Sequence, residues 1–141
     1  MTTDTAQVSP PVRQDPRQVS NTLKKTVNYN DASISTGVAF DNSLPAGAFI
    51  TDAKVEIVTA FNAGTTNVLT VGTNSTSYND IVAAGDVNEA ATGVTEVGRG
   101  WGQSIALSAD KVVYAKYTQT GGAATTGKAV IVITYEGGWS S

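Results

Sequence analysis

The sequence predicts an all-β protein, a jelly-roll-like two-sheet sandwich of about eight strands with an extended N-terminal arm. From Leu23 onward, short β-branched segments alternate apolar and polar residues with a period of two, and clusters of turn-forming residues separate them. No stretch of roughly ten residues or more has the apolar spacing of a helix. An immunoglobulin-like sandwich is less favoured, because it normally carries a Cys…Trp…Cys framework and this chain has no cysteine.

The chain has 141 residues, which is enough for one sizeable core. Residues 1–22 are predicted to form an extended or disordered arm, because Pro10, Pro11 and Pro16 stand there among polar residues. Such an arm either stays disordered or becomes ordered on a neighbouring subunit, and composition does not separate the two. Residues 23–141 are predicted to form a single β-sandwich domain.

The first two predicted strands flank a turn at Asn30-Asp31. Leu23 to Tyr29 and Ile34 to Phe40 both alternate apolar and polar side chains, which is typical of strands with one buried face. A hairpin-like pair is the simplest interpretation of this segment.

The longest predicted strand follows a turn-rich segment at residues 41–47 and extends from Ala48 to Phe61. Its predicted core-facing residues are Ala53, Val55, Ile57, Thr59 and Phe61. The next strand, from Val68 to Thr73, is expected to turn Leu69 and Val71 inward and Thr70 outward.

The second half of the domain begins with an irregular stretch at residues 74–93. Here we predict a short strand around Tyr78, Ile81 and Val82 and a helical turn at residues 86–91. The later predicted strands are Val94–Val97, Val112–Thr118 and Ala129–Tyr135. The last of these is apolar on both faces and is therefore expected to lie centrally in a sheet.

The composition excludes much of common enzyme chemistry. The chain has neither cysteine nor histidine, which removes disulfides, the usual zinc and iron–sulfur ligands, and Cys or Ser–His nucleophiles. We therefore expect no enzymatic activity, no cofactor and no metal. A net charge of −3 also has the wrong sign for a protein that neutralises phosphates, so we expect no nucleic acid partner.

The terminal and membrane signals point to a soluble protein. No basic-then-apolar signal pattern opens the sequence, and no apolar run approaches the roughly 20 residues of a membrane span. Only 15% of the residues are charged, which predicts a surface rich in hydroxyls, small amides and alanine. Such a surface is less costly to desolvate against a partner than a strongly charged one.

The acidic, glycine-rich and aromatic segments that could form a catalytic or ligand-binding site are each explained better by a structural role. The acid pairs Asp80 with Asp86 and Glu89 with Glu96 are predicted to be solvated surface groups rather than a glycosidase pair or calcium ligands. The Gly-rich residues 98–102 are not followed by a helical pattern, so a corner is favoured over a phosphate loop. Four tyrosines are expected to pack in the core or across strands, although they could instead line a sugar-binding groove together with Trp139: Tyr78, Tyr114, Tyr117 and Tyr135.

A protein interface is the kind of site that the sequence favours. Arginine and tryptophan are enriched at interface hot spots, and a tryptophan beyond two glycines near the chain end is suited to anchoring on a neighbour. The predicted interface residues are Val8, Pro10, Pro11, Val12, Arg13, Arg17, Arg99, Trp101 and Trp139.

Three segments resemble small virion proteins of tailed bacteriophages: residues 44–50 (LPAGAFI), residues 60–62 (AFN) and residues 69–73 (LTVGT). The Gly-rich turn before residues 129–135 (AVIVITY) is also similar to the closing strand of that group. Within it, the chain looks most like a capsid cement, or decoration, protein of a short-tailed, podovirus-like phage.

The resemblance implies a jelly-roll protein on the outer surface of an HK97-type capsid, made in the cytoplasm of the host bacterium. Its implied partner is the major capsid protein, whose neighbouring subunits it would clamp without covalent chemistry. It also implies a homo-oligomer, for which the general frequency of two-fold assemblies favours a dimer over a trimer. The alternative is a head-fibre or tail-tip module that binds a receptor or carbohydrate.

Overall fold

The computed structural model describes residues 21–97 and 109–136, and residues 1–20, 98–108 and 137–141 lie outside the described part. Every regular element in these ranges is a β-strand. In chain order the strands are β1 (Asn21–Asn28), β2 (Val38–Ala39), β3 (Phe49–Thr59), β4 (Thr66–Gly72), β5 (Gly93–Glu96), β6 (Tyr114–Thr120) and β7 (Lys128–Glu136). No helix in the described ranges is long and apolar enough to cross a membrane.

The strands form two antiparallel sheets whose order confirms the predicted all-β sandwich. Sheet I has the order β1-β7-β3-β5, and sheet II has the order β2-β6-β4. Successive strands along the chain alternate between the two sheets. Val82 forms an isolated bridge with Val71 on β4, which adds a rudimentary eighth strand at the edge of sheet II. This is the strand order of a jelly roll.

The core lies between the inner faces of the two sheets. On sheet I the register places Leu23, Ile133 and Ala53 in one row, and all three are buried. From sheet II, Leu69 and Val71 face them, as predicted, and are fully buried. β7 pairs with β1 on one side and with β3 on the other, so the prediction that this strand is central is confirmed.

The predicted hairpin between the first two strands is wrong. β1 pairs with β7 in sheet I, whereas β2 pairs with β6 in sheet II, so the turn at residues 30–36 carries the chain from one sheet to the other. The strand expected from Ile34 is also shorter, because the Ile34 amide donates to the Asp31 carbonyl at 3.1 Å and Ser33 adopts a φ of 65°. Ile34 is nevertheless buried.

Two further predictions, the inward side chain of Thr59 and the helical turn at residues 86–91, are wrong. Thr59 was expected to face the core, but a bulge shifts the β3–β7 register between Ile57 and Thr59 and leaves Thr59 exposed. Residues 83–86 and 88–91 form two separate turns in place of the helical turn predicted at residues 86–91: the Asp86 amide donates to the Ala83 carbonyl, and the Ala91 amide donates to the Asn88 carbonyl. The short strand predicted near Ile81 and Val82 exists as the single bridge at Val82.

Candidate functional site

The predicted interface residues fall in the parts of the chain that the structure does not describe. These residues are Val8, Pro10, Pro11, Val12, Arg13, Arg17, Arg99, Trp101 and Trp139. Their role stays a prediction. The candidate surface that the described residues offer is built by sheet I.

Sheet I turns one side away from the core, and we call its side chains the outer face. The register assigns to it Thr22, Lys24, Thr26, Asp52, Lys54, Glu56, Val94, Glu96, Val130, Val132 and Thr134. Val130 and Val132 lie on the central strand and are only half-buried, and Val94 on the edge strand β5 is 66% exposed. The outer face therefore presents valines and threonines that no described part of the chain covers.

The charges on the outer face largely balance one another. Lys54 lies 3.5 Å from the Asp52 carboxylate and 4.0 Å from that of Glu96. Both pairs are solvent-exposed, so each is worth at most about 1 kcal/mol. A face of this composition suits a protein interface, where an apolar centre is framed by polar groups.

The outer edge of sheet II is closed by the chain itself. The exposed side of β4 meets the segment 81–89: the Val71 amide donates to the Val82 carbonyl at 3.0 Å, and the Val82 amide donates back to Val71 at 2.9 Å. Two residues earlier, the Leu69 amide donates to a carboxylate oxygen of Glu89 at 2.8 Å. These bonds satisfy an edge that would otherwise be free to pair with another chain.

Glu89 is a buried carboxylate with a structural role. Its side chain closes the β4 edge, and its carbonyl accepts the Phe61 amide at 2.9 Å, so the residue joins two core segments. Burial raises the pKa of Glu89, although hydrogen bonds from the Leu69 and Glu89 amides partly oppose the shift. The nearby Tyr117 hydroxyl also has a raised pKa, first because of burial and second because of the Glu89 charge.

The prediction that Glu89 is a solvated surface acid is therefore wrong, since only 7% of the residue is exposed. Its intended partner Glu96 is on β5, where its side chain is 68% exposed and next to Lys54. Each acid has a separate local partner, and the pair does not define a catalytic site.

The other candidate acids accept hydrogen bonds within turns. Asp80 accepts the amide and the hydroxyl of Thr73, both at 2.7 Å. Asp86 accepts the Ala83 amide at 2.8 Å. No group of three or more possible metal ligands occurs within residues 21–97 and 109–136. These carboxylates stabilise loops.

The tyrosines pack rather than line an open groove. Tyr117 is buried, its ring centroid is 4.6 Å from that of Phe61, and its hydroxyl donates to Asn67. Tyr78 stacks on Tyr114 with ring centroids 4.5 Å apart. The predicted packing role is confirmed for these three tyrosines, and Tyr135 also packs against the core.

The same fold occurs in chains of three bacteriophage capsid structures. One is the acidic stable capsid structure of Helicobacter pylori bacteriophage KHP30, with a TM-score of 0.58, 19% identity, and coverage of 83% of this chain and 86% of that chain. A second is the capsid asymmetric unit of cyanophage Pam1, with a TM-score of 0.55, 16% identity, and 92% of each chain covered. A third is the capsid of Ralstonia phage GP4, with a TM-score of 0.58, 18% identity, and coverage of 94% and 92%.

At these identities the likeness establishes a shared fold. No protein-family model matches the sequence, and neither does a curated protein. Each match covers at least 83% of this chain and at least 86% of the matched chain, so the compared chains are of similar length.

Proposed function

We propose that the protein is a structural virion component that binds the outer face of an HK97-type phage capsid and cements neighbouring major capsid protein subunits without covalent chemistry. The observation that carries the proposal is the fold shared, over at least 83% of this chain, with chains of three phage capsid structures. Those matched chains are as small as this one, which suits an accessory component. The segments resembling small phage virion proteins support the same role.

The chemistry of the described surface supports docking rather than catalysis. Asp80 and Asp86 are engaged in turns, and Glu89 is buried against a strand edge. The outer face instead offers half-buried valines on the central strand of a sheet, and the charge of Lys54 beside them is paired with Asp52 and Glu96. Burying the valines of such a surface releases water from apolar groups, which favours association.

The proposed interface has two parts. The first is the outer face, centred on Val132 and bounded by Val94. The second comprises the residues predicted from the sequence, in segment 1–22 and at Arg99, Trp101 and Trp139. Modest contacts are sufficient because many copies on a symmetric lattice act together. We also propose a homo-oligomer, a dimer in preference to a trimer, placed on a local symmetry axis of the shell.

A co-sedimentation experiment with purified expanded capsids of the producing phage tests this proposal. The wild-type protein is expected to pellet with the capsids in a saturable manner. Val94→Lys adds a charge to the outer face and is expected to weaken binding by about tenfold, roughly the worth of one buried apolar contact. Deletion of residues 1–20 is expected to weaken binding further, because the predicted arm contacts are lost.

Val112→Lys is the matched control, since Val112 is 41% exposed but does not lie on sheet I. It should bind as the wild type does. Saturable binding that is insensitive to Val94→Lys would remove the outer face from the interface. A well-folded wild-type protein that does not bind would overturn the cement role, and a head-fibre or tail-tip receptor-binding module would then take its place.

A further inference from the structure

Within the described residues the two sheets have four edges, and these differ in how they are protected. The β4 edge is closed by Glu89 and Val82. The β2 and β5 edges are short, with 2 and 4 residues. β1 is an edge strand of 8 residues, and no described residue pairs with its outer side. It is therefore the longest open edge in the described structure.

The backbone groups on the open side of β1 can be assigned from the strand alternation. The Tyr29 amide donates to the Gly127 carbonyl at 3.0 Å, so odd-numbered residues direct their amides towards β7. The even-numbered residues Thr22, Lys24 and Thr26 therefore direct theirs outward. The next outward amide, that of Asn28, is capped by the Asp31 carboxylate at 2.8 Å, which marks the end of the open segment.

Two lysines give this edge a positive charge on an otherwise acidic protein. Lys24 is exposed on the outer face, whereas Lys25 is half-buried on the core-facing side, opposite Ile131. Neither forms an ion pair within the described residues. If two copies of β1 paired with each other, four lysines would gather along one seam, so charge repulsion disfavours a second copy as the occupant.

We propose that the β1 edge binds an extended acidic segment of a partner protein as an additional antiparallel strand. Main-chain hydrogen bonds to Thr22, Lys24 and Thr26 would supply affinity, as in other cases of strand addition. Consecutive residues of a strand point to opposite faces, so two adjacent acidic residues on the partner would meet Lys24 on one side and Lys25 on the other. This inference does not depend on the capsid proposal, because it can be tested on the isolated protein.

The test is an NMR titration with a capped peptide of about eight residues, in which two adjacent glutamates are flanked by alternating threonine and valine. The free protein should show fast amide exchange at Thr22, Lys24 and Thr26. Near-millimolar peptide should shift and protect those three amides, a concentration typical of a single short strand. A peptide with two lysines in place of the glutamates should have no effect.

The double variant Lys24→Glu/Lys25→Glu is expected to lose at least about tenfold in affinity for the acidic peptide. Lys128→Glu is the matched control, because Lys128 is an exposed cation on the neighbouring strand, and it should retain binding. If the double variant does not fold, the exposed Lys24→Glu change alone is expected to weaken binding.

Three results would overturn the inference. The Thr22, Lys24 and Thr26 amides could already be protected in the free monomer, which would mean that other residues of the same chain cover the edge. The acidic and basic peptides could act equally, or the protein could dimerise through β1 in a concentration-dependent manner. Each of these results would show that β1 does not bind an acidic strand through Lys24 and Lys25.

Discussion

At the scale of single residues, Glu89 is the least expected feature. Its carboxylate is buried and accepts the Leu69 amide, and burial raises its pKa above the ordinary value of 4.5. Between that value and the higher pKa in the folded state, the folded protein binds more protons than the unfolded chain. The contribution of Glu89 to the free energy of unfolding therefore falls as the pH rises through this window.

Glu89→Gln should remove this pH dependence. Gln keeps an acceptor for the Leu69 amide but carries no charge, so the variant should gain stability relative to the wild type as the pH rises from 4.5, until the difference levels off above the folded-state pKa. Urea unfolding at a series of pH values measures the difference. Glu96→Gln is the control, because it removes a charge from a side chain that is 68% exposed. A flat difference for Glu89→Gln would contradict the assignment.

Glu89→Ala should behave differently from the amide variant. It leaves the Leu69 amide without its side-chain acceptor, and Leu69 is fully buried. The expected loss is about 1–3 kcal/mol in the free energy of unfolding, the usual cost of an unsatisfied buried donor. Chemical denaturation at neutral pH would detect it. Equal stability of the Ala and Gln variants would mean that the hydrogen bond contributes little.

Gly127 and Gly85 form a matched pair for testing core packing. Both have positive φ angles, of 151° and 89°, but a methyl group at Gly127 would overlap the Phe61 ring whereas one at Gly85 would meet nothing within 4 Å. Gly127→Ala is therefore expected to destabilise the protein by about 1–3 kcal/mol more than Gly85→Ala does. Thermal unfolding of the two variants is the measurement. Similar losses would indicate that Phe61 can move aside.

Residue-level predictions from the sequence succeed where alternation alone decides burial. Ala53, Val55 and Ile57 are buried as predicted because a regular strand fixes their side. Glu89 could not be identified in this way, because its burial depends on a loop folding back over a strand distant in sequence. Glu89 lies two residues after Val87, which is also buried. This two-residue spacing was the one weak indication in the sequence that Glu89 faces the core, and it lies in an irregular segment.

At the scale of elements, the position of β7 determines local stability. β7 is paired along both sides, whereas β5 has 4 residues, is mostly exposed and, among the described strands, is paired with β3 alone. Amide hydrogen exchange should therefore be slowest in β7, at rates set by global unfolding, and much faster in β5. Comparable protection of the two strands would contradict the sheet order.

The sequence predicts elements well when their apolar pattern is long. The strand at Ala129–Tyr135 is apolar on both faces, and this predicted its central position. The shorter alternation from Ile34 to Phe40 fits a strand equally well, but hydrogen bonds in the turn at Asp31 and Ser33 truncate it. The choice between a hairpin and a crossing to the other sheet depends on partners far along the chain, which local patterns do not specify.

At the scale of the whole molecule, the alternation of apolar and polar residues predicted the fold class, whereas the protein interface that composition favours stays a prediction. Few charges and no histidine or cysteine pointed to an interaction protein, and the two-sheet sandwich agrees with the predicted fold. The outer face emerged only from the register, because Val94, Val130 and Val132 come from two separate segments. The open β1 edge likewise depends on the strand order.

The central claim is that the protein stabilises a phage shell, and heating the shell tests this most directly. Expanded capsids of the producing phage that lack the protein would be heated alone and with saturating wild-type protein, and shell rupture followed by light scattering and electron microscopy. We expect rupture to shift to higher temperature with the wild-type protein, because a ligand that binds only the intact shell stabilises it. Saturated binding with an unchanged rupture temperature would contradict cementing.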